Sequence, residues 1–224
     1  MVANMSQQLF KPGANNLAKV SILAGGLITA LVLGFILVTV RSPFTKAPVG
    51  IPVPQPVRFS HELHVGTLNV DCRYCHSSAE VSPYGGIPDT HTCMSCHSQI
   101  ATYSELLEPV RNSYASDERL VWNRVHAVGQ YVYFNHSAHL NNGIGCETCH
   151  GRIDQMPIVW RNETMTMRWC LDCHFEPEKY IRPLDEVYTM GWTPPIPQSE
   201  LGPQLVAEYD IHKDGLTDCA VCHR

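Results

Sequence analysis

The 224-residue sequence is poor in charge: Asp, Glu, Lys and Arg make up 17 % of it, with a formal net charge of -5. Such a chain has no basic face for nucleic acid. It also has no nucleophile–base triad, no phosphate-cradling glycine loop and no paired-carboxylate signature, so catalysis within the chain is not indicated and no catalytic residue is assigned. Long uninterrupted elements are scarce as well, because 16 Pro and 15 Gly break helices and strands over most of its length. Residues 20–40 are the exception: VSILAGGLITALVLGFILVTV has no charged side chain. A helix rising about 1.5 Å per residue over that run spans about 30 Å, the thickness of a bilayer's hydrocarbon core. The run exceeds the apolar part of a signal peptide and no small-x-small cleavage site follows before Arg41, so it reads as a retained single-pass anchor. Gly25, Gly26 and Gly34 offer it a surface for packing against partner helices. Lys11 and Lys19 before it balance Arg41 and Lys46 after it, so flanking charge does not orient it.

A further absence is more informative. None of the ten cysteines falls outside a C-x-x-C-H unit, so none is left for a disulfide. The units are Cys72, Cys75 and His76; Cys93, Cys96 and His97; Cys146, Cys149 and His150; Cys170, Cys173 and His174; Cys219, Cys222 and His223. Residues three apart lie on one side of a helical turn, so each unit aims both thiols at one porphyrin edge. The following His then ligates iron from the proximal side. Zinc needs four converging ligands, and a redox C-x-x-C has no use for the His. Five copies that exhaust the cysteines predict five covalently bound haem c groups. Such attachment is made outside the cytoplasm. This orients the chain in a bacterial inner membrane: a cytoplasmic tail at 1–19, the anchor at 20–40 and a periplasmic haem domain.

Between anchor and domain, residues 41–56 carry Pro43, Pro48, Pro52, Pro54 and Pro56 and read as a stiff spacer. The haem domain, 57–224, contains a repeat. Val57-Arg58-Phe59-Ser60-His61-Glu62-Leu63-His64 aligns with Val132-Tyr133-Phe134-Asn135-His136-Ser137-Ala138-His139, each reading V-x-F-polar-H-x-x-H. Cys72 follows His61 by eleven residues, and Cys146 follows His136 by ten. The domain is therefore two paired modules, 57–97 and 132–174, with a fifth motif appended at 219–223. The expected fold is mainly α and irregular, a transmembrane helix plus short helices around a haem stack, with almost no sheet. Residues 105–123 read as a polar helix or loop, 175–215 as an irregular wrap, and Trp122, Trp160, Trp169 and Trp192 as packing for porphyrin faces.

In multihaem cytochromes that this pattern resembles, the first His of an H-x-x-H pair caps the haem of the next C-x-x-C-H and the second caps another. The resemblance implies His61 for the haem at Cys72 and Cys75, His136 for that at Cys146 and Cys149, and His64 and His139 for two of the other irons. One iron remains, with His91, His126, His212, Met156, Met165 and Met167 as candidates and His126 or Met156 favoured. The anchor, the run 132–139, Gly151–Met156, Met167–His174 and the terminal Cys222-His223-Arg224 together resemble the pentahaem subunit of bacterial alternative complex III, a quinol:electron-acceptor oxidoreductase. That resemblance implies partners: a molybdopterin-oxidoreductase-like iron–sulfur protein, polytopic quinol-binding subunits and a monohaem cytochrome, with a cytochrome or oxidase as acceptor. The alternative is a free-standing, membrane-anchored multihaem quinol dehydrogenase.

Overall fold

The computed structural model describes residue 11 and residues 13–41 and 49–223. Most of the N-terminal tail, residues 42–48 of the spacer and Arg224 lie outside the described residues. The chain divides into two compact units, Met1–Pro48 and Val49–Arg224.

The first unit is the helix α1, Ala14–Arg41, which starts ahead of the apolar run at Val20. It is long and apolar enough to cross a membrane, and its side chains are not buried within the chain. The hydroxyl of Thr29 donates to the Gly25 carbonyl at 2.8 Å and that of Thr39 to Phe35 at 3.0 Å. Both polar groups are thus satisfied by the helix itself, as a hydrocarbon surrounding demands.

In the second unit the described residues form no β-strand, only isolated bridges between loops. Each C-x-x-C-H unit nucleates a helical turn: α2, Cys72–Cys75; α3, Thr90–His97; α6, Cys146–His150; α7, Met167–Phe175; α9, Cys219–Cys222. Turns this short need local help at their ends. Asp71 caps α2 by accepting from the Arg73 amide at 2.8 Å, and Asp89 caps α3 by accepting from the Thr92 amide at 2.9 Å. Between α3 and the second module, α4 (Glu108–Ser116) starts with Pro109 in its first turn, ends at left-handed Asp117 and packs on α3.

The two H-x-x-H segments fold differently. His136 starts the α-helix α5, His136–Leu140, capped by Asn135. His61 opens a π-helical turn, Glu62–Thr67. A π-turn holds one residue more than an α-turn. It absorbs the extra residue that separates His61 from Cys72, and both histidines keep their relation to their motif.

Residues 49–56, read as the second half of the spacer, are hydrogen-bonded to the domain. The Gly50 amide donates to Arg161 O at 2.8 Å, and the Asn123 side chain donates to Pro54 O at 2.7 Å. Segment 175–215 holds more structure than its prolines suggest: helix α8, Gln198–Glu208, runs through Pro203. Pro203 forfeits one backbone bond. Burial of Leu205 against Ile144 and Ile181 outweighs that local loss. A side chain at Gly202 would collide with the Glu178 carbonyl, so glycine alone permits this helix to lie on the turn Pro177–Lys179.

Few apolar side chains are fully buried, and cysteines join both clusters that form. Cys146 packs on Ala79, Leu140 and Val187; Cys149 and Cys173 pack on Ile144, Ile181 and Leu205. Around α6 the buried Arg182 pairs with Glu147 at 2.9 Å and lies over the Trp192 ring. This pair ties the C-terminal wrap to the Cys146 turn.

Replacing Asp71 by Ala should cost about 1 kcal/mol of stability in thermal melts, the usual worth of such a cap. The Arg73 side chain, by hydrogen bonding, holds the Asp71 carboxyl down from 3.8 to about 2. A depressed carboxylate stabilises above its unfolded value, so the wild-type advantage should be complete above pH 3.8 and fade as pH falls towards about 2.

Candidate functional site

The five C-x-x-C-H turns define sites I to V in chain order. Two imidazoles holding one metal from opposite sides, each through a bond of about 2 Å, have ring centres about 6.4 Å apart. Among the described residues, four pairs stand at that spacing. His61 faces His76 at 6.4 Å with rings 5° from parallel, and His136 faces His150 at 6.4 Å with rings at 13°. The His64 and His97 ring centres lie 6.1 Å apart with planes at 69°, and those of His139 and His174 6.1 Å apart with planes at 36°. Each pair joins one C-x-x-C-H histidine to one H-x-x-H histidine. The helical spacing i, i+3 sends the two imidazoles of one segment to two different turns: His61 to site I and His64 to site II, His136 to site III and His139 to site IV.

In six of the eight rings a backbone carbonyl sets which nitrogen faces the gap, whereas the His61 Nδ1 is buried without a hydrogen-bond partner. The Nδ1 of His76 bonds Gly86 O at 2.7 Å, that of His97 bonds Ile100 O at 3.0 Å, and that of His174 bonds Leu216 O at 2.7 Å. His64 uses Ser60 O at 2.8 Å, His136 uses Pro83 O at 2.8 Å, and His139 uses Asn135 O at 2.7 Å. A carbonyl only accepts, so Nδ1 carries the proton and Nε2 keeps its lone pair for a metal. Such a bond also makes the imidazole a better donor to iron. Burial supports the same neutral form. It pushes His61 down to about 4 and His150 to about 3, and lowers His139. The residues present therefore fit haem iron held between two neutral imidazoles, with a cysteine pair beside each proximal histidine.

Two aromatic side chains hold the H-x-x-H rings. Phe59 stacks on His64 at 4.4 Å and meets His61 edge-on at 4.8 Å. Phe134 stacks on His139 at 4.6 Å and meets His136 edge-on at 4.7 Å. The repeat displays these phenylalanines, but the aligned letters give them no role; only the packing does. The carbonyls that orient the histidines leave no trace in the sequence at all.

The other expected ligands are placed elsewhere. His126 lies against His150 at 4.3 Å with rings at 74°, beside it rather than across a metal, and its Nε2 is buried without a hydrogen-bond partner. Met156 is 1 % exposed, and its carbonyl accepts from the Glu62 amide at 3.2 Å. Both belong to the surroundings of sites I and III. His91 packs on Tyr114, and exposed His212 lies by Asp210. Met165 sits in the left-handed region at φ 49°, and Met167 is exposed. At site V the His223 Nδ1 donates to Tyr131 O at 3.1 Å, with the Tyr131 ring 5.8 Å from the imidazole.

Cysteine turns that each present a histidine, with paired imidazoles at metal-spanning distance, define a multihaem cytochrome of c type. No protein-family model matches the chain. The "Menaquinone reductase, multiheme cytochrome c subunit" of Nitratidesulfovibrio vulgaris is 30 % identical over 141 residues, covering 54 % of this chain and 67 % of that protein. The chain belongs to that family of multihaem cytochrome c subunits.

Each phenylalanine–imidazole contact is worth about 0.5–1.5 kcal/mol. Phe134→Leu, which loses two of them, should lower the stability of the holoprotein by about 2 kcal/mol in chemical denaturation. It should also disturb the absorption spectrum of any haem that His136 and His139 would hold, whereas Phe134→Tyr should leave both stability and spectrum nearly intact.

Proposed function

We propose that the chain is the electron-transfer subunit of a membrane quinol-oxidising respiratory complex, carrying five covalently bound haem c groups and passing electrons from partner subunits to a cytochrome or terminal-oxidase acceptor. The observation that carries this reading is the set of four imidazole pairs, each spaced for one iron and each drawing one ring from a C-x-x-C-H turn. Haem c, when bound, supplies one-electron redox chemistry between iron(III) and iron(II).

The chain's own residues bind and orient it. Cys72 with Cys75, Cys93 with Cys96, Cys146 with Cys149, Cys170 with Cys173 and Cys219 with Cys222 form the thioether links. His76, His97, His150, His174 and His223 are the proximal ligands, and His61, His64, His136 and His139 the distal ligands of sites I, II, III and IV. His126 and Met156, the two choices open for the remaining iron, both have their contacts at sites I and III. The proposal therefore names no distal ligand for site V.

The apolar helix α1 supports a single-pass anchor in a bacterial inner membrane, with the haem domain on the periplasmic side. A lone helix cannot wall in a quinol, so the quinol site belongs to polytopic partners. The resemblance to alternative complex III supplies the rest: a molybdopterin-oxidoreductase-like iron–sulfur subunit and a monohaem cytochrome. A second reading, with electrons running towards the quinone, is favoured by the relative, whose name is that of a menaquinone reductase subunit.

Purification from mild detergent, followed by mass spectrometry, should recover the chain with iron–sulfur and polytopic subunits, in a complex that oxidises quinol. A complex that instead reduces menaquinone would support the second reading. Recovery of the chain alone with quinol oxidation intact would overturn both in favour of a free-standing dehydrogenase. Replacing Cys146 and Cys149 together by Ala should abolish accumulation of the domain, since both belong to its apolar clusters. Normal yields of a four-haem product would count against that structural role.

A further inference from the structure

We propose that the five attachment sites lie along the domain in the order II–I–III–IV–V, with the two repeated modules meeting head to head at sites I and III and with sites II and V as the ends. This order rests on the reading of the C-x-x-C-H turns as haem sites.

The junction between modules is reciprocal. The loop after the site I motif serves the H-x-x-H segment of the second module: the His136 amide donates to Pro83 O and the Ser137 amide to Ser82 O, each at 3.2 Å. The loop after the site III motif serves the H-x-x-H segment of the first: the Glu62 amide donates to Met156 O at 3.2 Å. Ser82 follows Cys72 by ten residues and Met156 follows Cys146 by ten, and their donors Ser137 and Glu62 are aligned in the repeat, so equivalent positions of the two modules exchange equivalent bonds. A side chain at Gly66 would collide with the Asp154 carbonyl, which shows how closely the backbones approach. The same loop joins sites I and III directly, since Pro83 O holds the distal His136 and Gly86 O holds the proximal His76.

Outward from this junction each module continues to its second site. His61 and His64 share one turn between sites I and II, and the Tyr74 hydroxyl of the first motif bonds Ser95 of the second at 2.6 Å. His136 and His139 share α5 between sites III and IV, and Cys149 and Cys173 pack on one apolar cluster. Site V joins beyond site IV: Leu216 O, just ahead of the fifth motif, holds the site IV histidine His174.

The test uses the full-length holoprotein. His64→Met raises the reduction potential at site II, so that site fills first. Its added electron should then lower the potential of site I by the largest amount. His136→Met should do likewise at site III and lower sites I and IV together. Potentiometric titration followed by electron paramagnetic resonance reads these shifts. A shift from site II that reaches IV or V as strongly as I would overturn the order. Where a variant does not retain its haem, cryo-electron microscopy of the unmodified holoprotein reads the iron positions, and any sequence other than II–I–III–IV–V refutes the proposal. Five haems in another order would refute the order alone. A purified chain without haem would refute the functional reading as well.

Discussion

Two imidazoles whose ring centres lie about 6 Å apart leave room for one metal ion between them. A haem iron held there would draw on the Nε2 lone pair of both rings. The domain brings four such pairs together, and most of its remaining features follow from that requirement. The carbonyls that fix Nδ1, the phenylalanines that hold two rings each and the turns that carry the cysteines all serve to place imidazoles. Few apolar residues outside these groups are fully buried, chiefly isolated positions such as Val110 and Met156 and the small clusters around Val187 and Ile181. In a domain with such sparse clusters, covalently attached cofactors act as staples and as interior material together.

The sequence displayed the outline of this arrangement because cysteine spacing and helical periodicity are local. The C-x-x-C-H turns, the absence of sheet and the apolar helix needed no tertiary information. The pairing of His64 with His97 and of His139 with His174 did, since nothing in an H-x-x-H pair says which distant turn its second ring meets. Helix α8 was hidden for a different reason: Pro203 and Gly202 argue locally against a helix, and only the closeness of the Glu178 carbonyl and the burial of Leu205 make one. His126 is a different case. Its position before the second module suggests a ligand, yet its ring lies beside His150 instead of opposite a proximal imidazole.

The two modules also show how backbone can compensate for sequence drift. The first holds one residue more between its H-x-x-H pair and its cysteine turn, and the π-turn at Glu62–Thr67 takes up the surplus. Ring geometry is kept: the site I and site III pairs share a 6.4 Å separation and near-parallel planes. What the repeat preserves is therefore the placement of imidazoles, and the helix type is free to change.

The exchange of bonds between Ser82 and Ser137 on one side and Met156 and Glu62 on the other has the form of an isologous contact, in which one patch meets a copy of itself. A lone two-site module bearing that patch would pair with a second copy of itself, and its assembly would rise and fall with its abundance. Joining both copies in one chain makes the encounter intramolecular, at an effective concentration on the order of millimolar for a short connection. The central junction of this protein thus forms independently of how much of it a cell makes.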